Sequence, residues 1–216
     1  MARAKLNDRY DIIRLRPTGN YYEAAEEAPR MPRGKSRIGG PVSDLPPKFE
    51  PPDDMIFVAQ LDLSWIAKHD KHGLLPNHGH LFFYFNYDGP RDVGLLHYFP
   101  GEAKELRRTE HEHERMFYRG TTLSRCAPDV DLLKDRFDAE GWKYFEGWEK
   151  TKIGGIPSNP QWCDDEAAAA LAGGKKTLLL QIGTDVTDDG AMHFFIKTSD
   201  LTKRRFKECE AVYGST

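Results

Sequence analysis

The sequence predicts an α+β fold: strand-rich, mainly antiparallel sheets built from two pseudo-repeated halves, with a few short helices. Three observations predict it. The chain writes one motif twice, Ser36-Arg37-Ile38-Gly39-Gly40 and Thr151-Lys152-Ile153-Gly154-Gly155, each followed closely by a proline and a serine. Two further blocks then recur in the same order. The apolar run 55–61 with Gln60 matches 177–182 with Gln181, and 79–85 matches 190–196. Finally, strand and helix signals do not alternate regularly, which favours antiparallel pairing. The organisation expected is an N-terminal extension over 1–35 packed on a domain over 36–216. The pseudo-repeats span about 36–100 and 151–213, with a helical linker over about 128–150.

Tyr10 to Leu15 suits a short strand or a helical turn, stopped by Pro17 and Gly19, and 21–28 suits one short helix. The proline- and glycine-dense stretch 29–52 predicts an irregular path, with Gly39-Gly40 marking turns at positive φ or close chain packing. Residues 55–61 read as a buried strand and 63–69 as a short helix started by Asp62 or Ser64. An aromatic strand over 80–87 ends at the turn Asp88-Gly89-Pro90, and 94–100 is the next strand. The charged segment 102–115 suits a polar helix or a strand edge, and 116–123 another strand. Asp129 or Asp131 could cap a helix with Leu132, Leu133 and Phe137 on one face. The aromatics Trp142, Tyr144, Phe145 and Trp148 follow, as core or as a bridge between halves. A second helix is expected over 164–172, with acids at its start and Gly173-Gly174 at its end. Strands over 177–182, 191–197 and 209–213, with a helical turn at 200–205, complete the chain.

With 216 residues, 39% apolar and 30% charged, the chain has the composition of an ordinary globular protein. A formal charge of −3 lacks the basic excess of a nucleic-acid binder, and no run reaches membrane-spanning length. No secretory leader follows the basic start. Cys126, Cys163 and Cys209 are odd in number and widely spaced, which predicts reduced thiols rather than a disulfide framework or zinc site.

Three histidine pairs, His69/His72, His78/His80 and His111/His113, have spacings that put two rings on one face. The first two pairs sit near a turn and the third lies among Glu110, Glu112 and Glu114, and spacing alone is a weak signal of a metal site. They read as loop histidines, and no cofactor is expected. The stretch 172–177 lacks the first glycine of a phosphate loop and runs helix to strand, the wrong way round. No nucleophile elbow or activated cysteine is written, so no catalytic residue is assigned. What remains is a polar set, Arg37, Gln60, Lys152 and Gln181, joined by Trp162. Its first reading is structural, side chains pinning the glycine-rich path; its second is a ligand cleft between halves.

These same residues carry a resemblance. The motifs 36–41 with Leu45-Pro46, Ala59 to Leu63, Lys152 to Ser158, Leu178 to Ile182, Gly190 and Phe194 to Lys197 with Asp200-Leu201 are similar to the YwqG-like family over about 36–213. The chain departs from the family after Ser158, reading Asn159-Pro160-Gln161-Trp162 where Trp-Ile-Gln is common. The family is largely of unknown function, intracellular and strand-rich, and some members resemble immunity proteins encoded beside bacterial toxins. The resemblance therefore implies a non-catalytic cytoplasmic protein that neutralises a cognate toxin by stoichiometric binding, with no nucleic-acid or membrane partner. The alternatives are an enzyme using an inter-half cleft, perhaps metal-dependent, or a regulatory scaffold module. A small-molecule ligand stays open.

Overall fold

The computed structural model describes residues 5–86, 93–112, 116–139 and 142–215. The chain opens with β1 (Arg9–Tyr22), β2 (Arg37–Ile38) and β3 (Val42–Leu45). There follow β4 (Ile56–Asp62), α1 (Leu63–Ile66), β5 (His80–Asn86), β6 (Val93–Phe99) and β7 (Arg107–Glu110). Next come β8 (Gly120–Leu132), β9 (Arg136–Ala139), β10 (Trp142–Phe145), β11 (Lys152–Ile153) and α2 (Asp164–Ala170). The last elements are β12 (Lys176–Ile182), β13 (Gly190–Lys197), α3 (Thr198–Thr202) and β14 (Glu208–Ser215).

Ten of these strands close into one barrel in the order β1-β11-β12-β13-β14-β6-β5-β4-β2-β8, while β3–β7 and β9–β10 are two-stranded ribbons outside it. The fold is mainly β, and the expected α+β architecture with sheets built half by half is corrected. The repeats are not separate sheets because β14 pairs with β6, and β1 and β8 pair with each other and with β11 and β2. Closing the ring removes the exposed edges that two open sheets would keep.

The strand order maps onto itself when β1 exchanges with β8, β11 with β2, β12 with β4, β13 with β5 and β14 with β6. The local geometry repeats too. Arg37 lies opposite Gln60, and Lys152 opposite Gln181. The β4–β5 register slips between Phe57 and Ala59, and the β12–β13 register at the matching place, between Leu178 and Leu180. Phe83 and Phe194, matching positions on β5 and β13, meet edge to face inside the barrel at 5.1 Å.

Period-two alternation divides the strands between two environments. Leu81, Phe83 and Phe85 of β5 and Met192, Phe194 and Ile196 of β13 join the central core. The alternate residues Phe82 and Tyr84 face outward and are covered by Leu45 and Leu106 of the β3–β7 side. Phe195 is likewise covered by Leu171 and Trp162. The outer faces of both halves are thus buried under flaps.

Several local expectations hold. Asp62 caps α1, accepting from the Ser64 N–H at 3.0 Å. Others are corrected. Residues 1–35 are not simply an outer extension, since β1 is a barrel strand running through Pro17 and Gly19 with register shifts, and 21–28 holds a strand end and a single 3-10 turn rather than a helix. Among the described residues the helix expected over 128–150 is absent: β8 extends to Leu132, and β9 pairs antiparallel with β10. Pro128 is tolerated because the β8 register with β2 runs only through Thr121 and Thr122. The Asp88-Gly89-Pro90 turn and His113 lie outside the described residues, as do the side chains of Phe137, Trp142 and Tyr144.

Gly40 and Gly155 hold φ of 80° and 90°, and a Cβ on the first would meet the Gly120 backbone and Tyr22 ring, on the second the Asp131 carboxylate and Ile12. Gly40→Val and Gly155→Val should each destabilise by about 2–4 kcal/mol in urea unfolding. Gly73→Ala, at φ 62° but with open space around it, should cost only about 1 kcal/mol.

Candidate functional site

The polar residues singled out from the sequence are fully buried, at 0% exposure for Arg37, Gln60, Lys152 and Gln181. They form two clusters rather than one cleft. A buried base needs a counter-ion, and each finds an aspartate. Arg37 pairs with Asp44 at 3.2 Å; Asp44 also accepts from Arg108 at 2.6 Å, from Gln60 at 3.0 Å and from the Gly34 N–H at 2.9 Å. Lys152 pairs with Asp131, which also takes the Ile156 N–H at 3.0 Å and lies 3.5 Å from Lys150.

Each glutamine completes its cluster by standing in for a peptide group. Gln60 accepts from the Asp44 N–H at 2.8 Å and donates to the Lys35 carbonyl at 2.8 Å. Gln181 accepts from the Ser158 N–H at 3.0 Å and donates to the carbonyls of Lys150 and Gly147 at 2.9 and 2.8 Å. The motif hydroxyls repeat the same pattern: Ser36 accepts from the Asp62 N–H at 2.9 Å, Thr151 from the Gly183 N–H at 3.1 Å. These side chains satisfy irregular backbone where the flaps cross the barrel wall.

Burial lowers the pKa of both bases, that of Lys152 to about 8, against the pull of their aspartates. At Asp44 burial opposes ionisation, but Arg108, Arg37, Gln60 and the Gly34 amide outweigh it and hold the carboxyl below its ordinary range. Sequence reasoning missed both aspartates. Asp44 was legible in principle as the nearest acid downstream of Arg37, whereas Asp131 precedes Lys152 by 21 residues and was read as a helix cap.

Trp162 belongs to the second cluster through His193, on which it stacks at 5.0 Å. His193 is fully buried with Nε2 2.9 Å from the Ser158 carbonyl and Nδ1 3.3 Å from that of Val212. A neutral ring can donate to only one of them, and the shorter contact assigns the proton to Nε2. Burial pushes the His193 pKa down to about 4.

The other histidines are dispersed. His72 lies 3.8 Å from Asp11, His78 contacts Asn77, His80 is buried beneath Gly34, and His111 contacts the Ser43 hydroxyl at 2.6 Å. Among the described residues no three histidine, cysteine or acidic side chains converge as a metal centre. Cys126 and Cys163 are buried and Cys209 is half-buried, all three as free thiols.

Among the described residues, two places present chemistry outward. One is a half-buried cluster in which Arg119 lies 4.7 Å from the Tyr21 ring centroid and 5.5 Å from that of Tyr118. Arg119 also reaches Asp188 at 3.2 Å, and Phe117 meets Tyr213 edge to face at 6.1 Å. Tyr118 holds φ of 59°, a conformation a bulky aromatic rarely takes, with its carbonyl accepting from the Gly40 N–H at 3.1 Å. The first glycine turn therefore fixes this surface. The other is a cavity beside the second glycine turn, between β1, β12 and the loop 69–75.

Asp44→Ala should leave the fully buried Arg37 without its counter-ion and lower stability by about 3–5 kcal/mol in chemical denaturation. His193 gives a pH prediction. Its folded pKa lies below the unfolded value near 6.5, so its contribution is complete above pH 6.5 and is lost as pH falls toward 4. The loss should reach about 3 kcal/mol, and His193→Gln should flatten the stability–pH curve over that window relative to the parent.

No curated protein matches this chain. A family model described as a domain of unknown function (DUF1963) matches residues 36–213, which contain both glycine turns, both aspartates and both glutamines. By that match the chain belongs to the DUF1963 family.

Proposed function

We propose that this protein is a non-catalytic, YwqG-like binding protein that acts in the cytoplasm and neutralises a cognate bacterial toxin by stoichiometric protein–protein binding. The observation that carries the reading is the Tyr21–Tyr118–Arg119 cluster with Phe117 and Tyr213 beside it. Tyrosine and arginine dominate the energetic centres of protein interfaces because they bring large contact area with a polar tip. Here they are held in advance, by cation–π contacts, by Asp188 and by the Gly40 clamp on Tyr118. A surface ordered before binding loses little side-chain freedom on association.

The buried polar residues support the same reading from the opposite direction. Arg37, Gln60, Lys152 and Gln181 are engaged by the protein's own backbone and aspartates, which makes them scaffold. Native capture from the source cells, read by mass spectrometry, should return one near-stoichiometric protein that is toxic when expressed alone and silenced by this chain. Arg119→Ala with Tyr118→Ala should then weaken that complex at least tenfold while leaving the melting temperature of the free protein within a few degrees. Full affinity in the double variant would remove the assigned surface.

A further inference from the structure

The two glycine turns are built alike but meet different surroundings. Beside Gly39 the carbonyls of Phe117, Tyr118 and Arg119 all press within about 3 Å of where a Cβ would stand, because the chain curls over the turn at Tyr118. Beside Gly154 the corresponding neighbour is the Asp11 carbonyl at 3.5 Å, and β1 runs straight past. The space that the curl fills in the first half is open in the second. It forms a cavity of about 70 Å³, floored by Ile13, Leu75, Ile153, Leu179 and Leu201. The cavity adjoins a wider groove of about 790 Å³, with which it shares Asp11, His72, Leu74 and Gly154.

The rim carries a surplus of positive charge. Asp11 faces two cations at once, Lys71 at 2.9 Å and Arg9 at 3.6 Å, with the His72 ring 3.8 Å away. Lys5 and Lys176 line the groove as well. Lys176 is paired with Glu210, and Asp70 is turned into its own loop, accepting the N–H groups of His72 and Leu75 at 3.1 and 2.6 Å. One carboxylate, Asp11, thus serves two cations at the mouth of an apolar recess, with Lys5 nearby in the groove.

We infer that this recess is a binding site for a small amphipathic anion, its alkyl part on the floor around Leu75 and Leu179 and its carboxylate head among Arg9, Lys71 and Lys5. The apolar floor supplies affinity in proportion to the area it covers, and the cationic rim selects the sign of the head group. The site shares no lining residue with the Arg119 cluster and does not rest on the toxin reading.

The test uses the purified full chain and four probes: octanoate, octan-1-ol, octylamine and acetate. Calorimetry should show saturable one-to-one binding of octanoate, at least tenfold tighter than octanol, with octylamine and acetate weaker still. Amide and methyl NMR shifts should concentrate at Leu75, Ile153, Gly154 and Leu179. Arg9→Gln with Lys71→Gln, both on exposed side chains, should cost octanoate at least tenfold in affinity and bring it level with octanol. Leu75→Trp should block the alkyl part and abolish binding. The inference is overturned if octanoate does not saturate, if it binds no better than octylamine, or if the shifts map elsewhere. It is also overturned if both variants keep their fold by circular dichroism and bind octanoate as the parent does.

Discussion

Twice in this chain a buried base must find its acid: Arg37 finds Asp44, and Lys152 finds Asp131. Arg37 and Lys152 sit on strands of two residues each, too short to hold position by ladder hydrogen bonds alone. Their aspartates come from elements that would otherwise lie apart, Asp44 from an outer ribbon and Asp131 from the end of β8. Leaving either charge unpaired inside the wall would cost several kcal/mol, so Asp44 ties its ribbon to the barrel and Asp131 ties β8 to β11 in one arrangement. Gln60 and Gln181 finish the work by pairing with peptide groups that no neighbouring strand reaches.

Duplication of this device does not make the two halves interchangeable. At the first copy the chain bends at Tyr118 and brings aromatic rings and Arg119 to the surface. At the second, β1 passes through without a bend and leaves a recess. One scaffold motif, repeated, therefore frames two different surfaces, and the difference lies in what passes beside the glycines.

Much of this was legible in the residues. The paired Gly-Gly motifs, the paired glutamines and the apolar runs around them placed most strands of both repeats within one or two residues, because alternation and turn chemistry are local signals. Barrel closure was not legible. It depends on β1 finding β8 and on β14 finding β6, pairings about 100 residues apart or more that no local pattern encodes. The helix expected around Asp131 failed for a related reason. An aspartate before an apolar run reads as a cap, and only the distant Lys152 explains why this one points inward. For the candidate surfaces, the polar set was found but its meaning was split between scaffold and cleft. Tyr118 and Arg119 carried no signal, since the strained backbone that displays them is visible only in three dimensions.

The family match begins at residue 36, yet β1 lies between β8 and β11 as a stave of the barrel. The matched span is therefore smaller than the unit that closes. A fragment trimmed to the matched span would expose the flanks of β8 and β11 together, two unpaired rows of peptide groups facing one gap. The N-terminal segment thus works as the final board of a cask: little about it identifies the cask, and without it the vessel stands open.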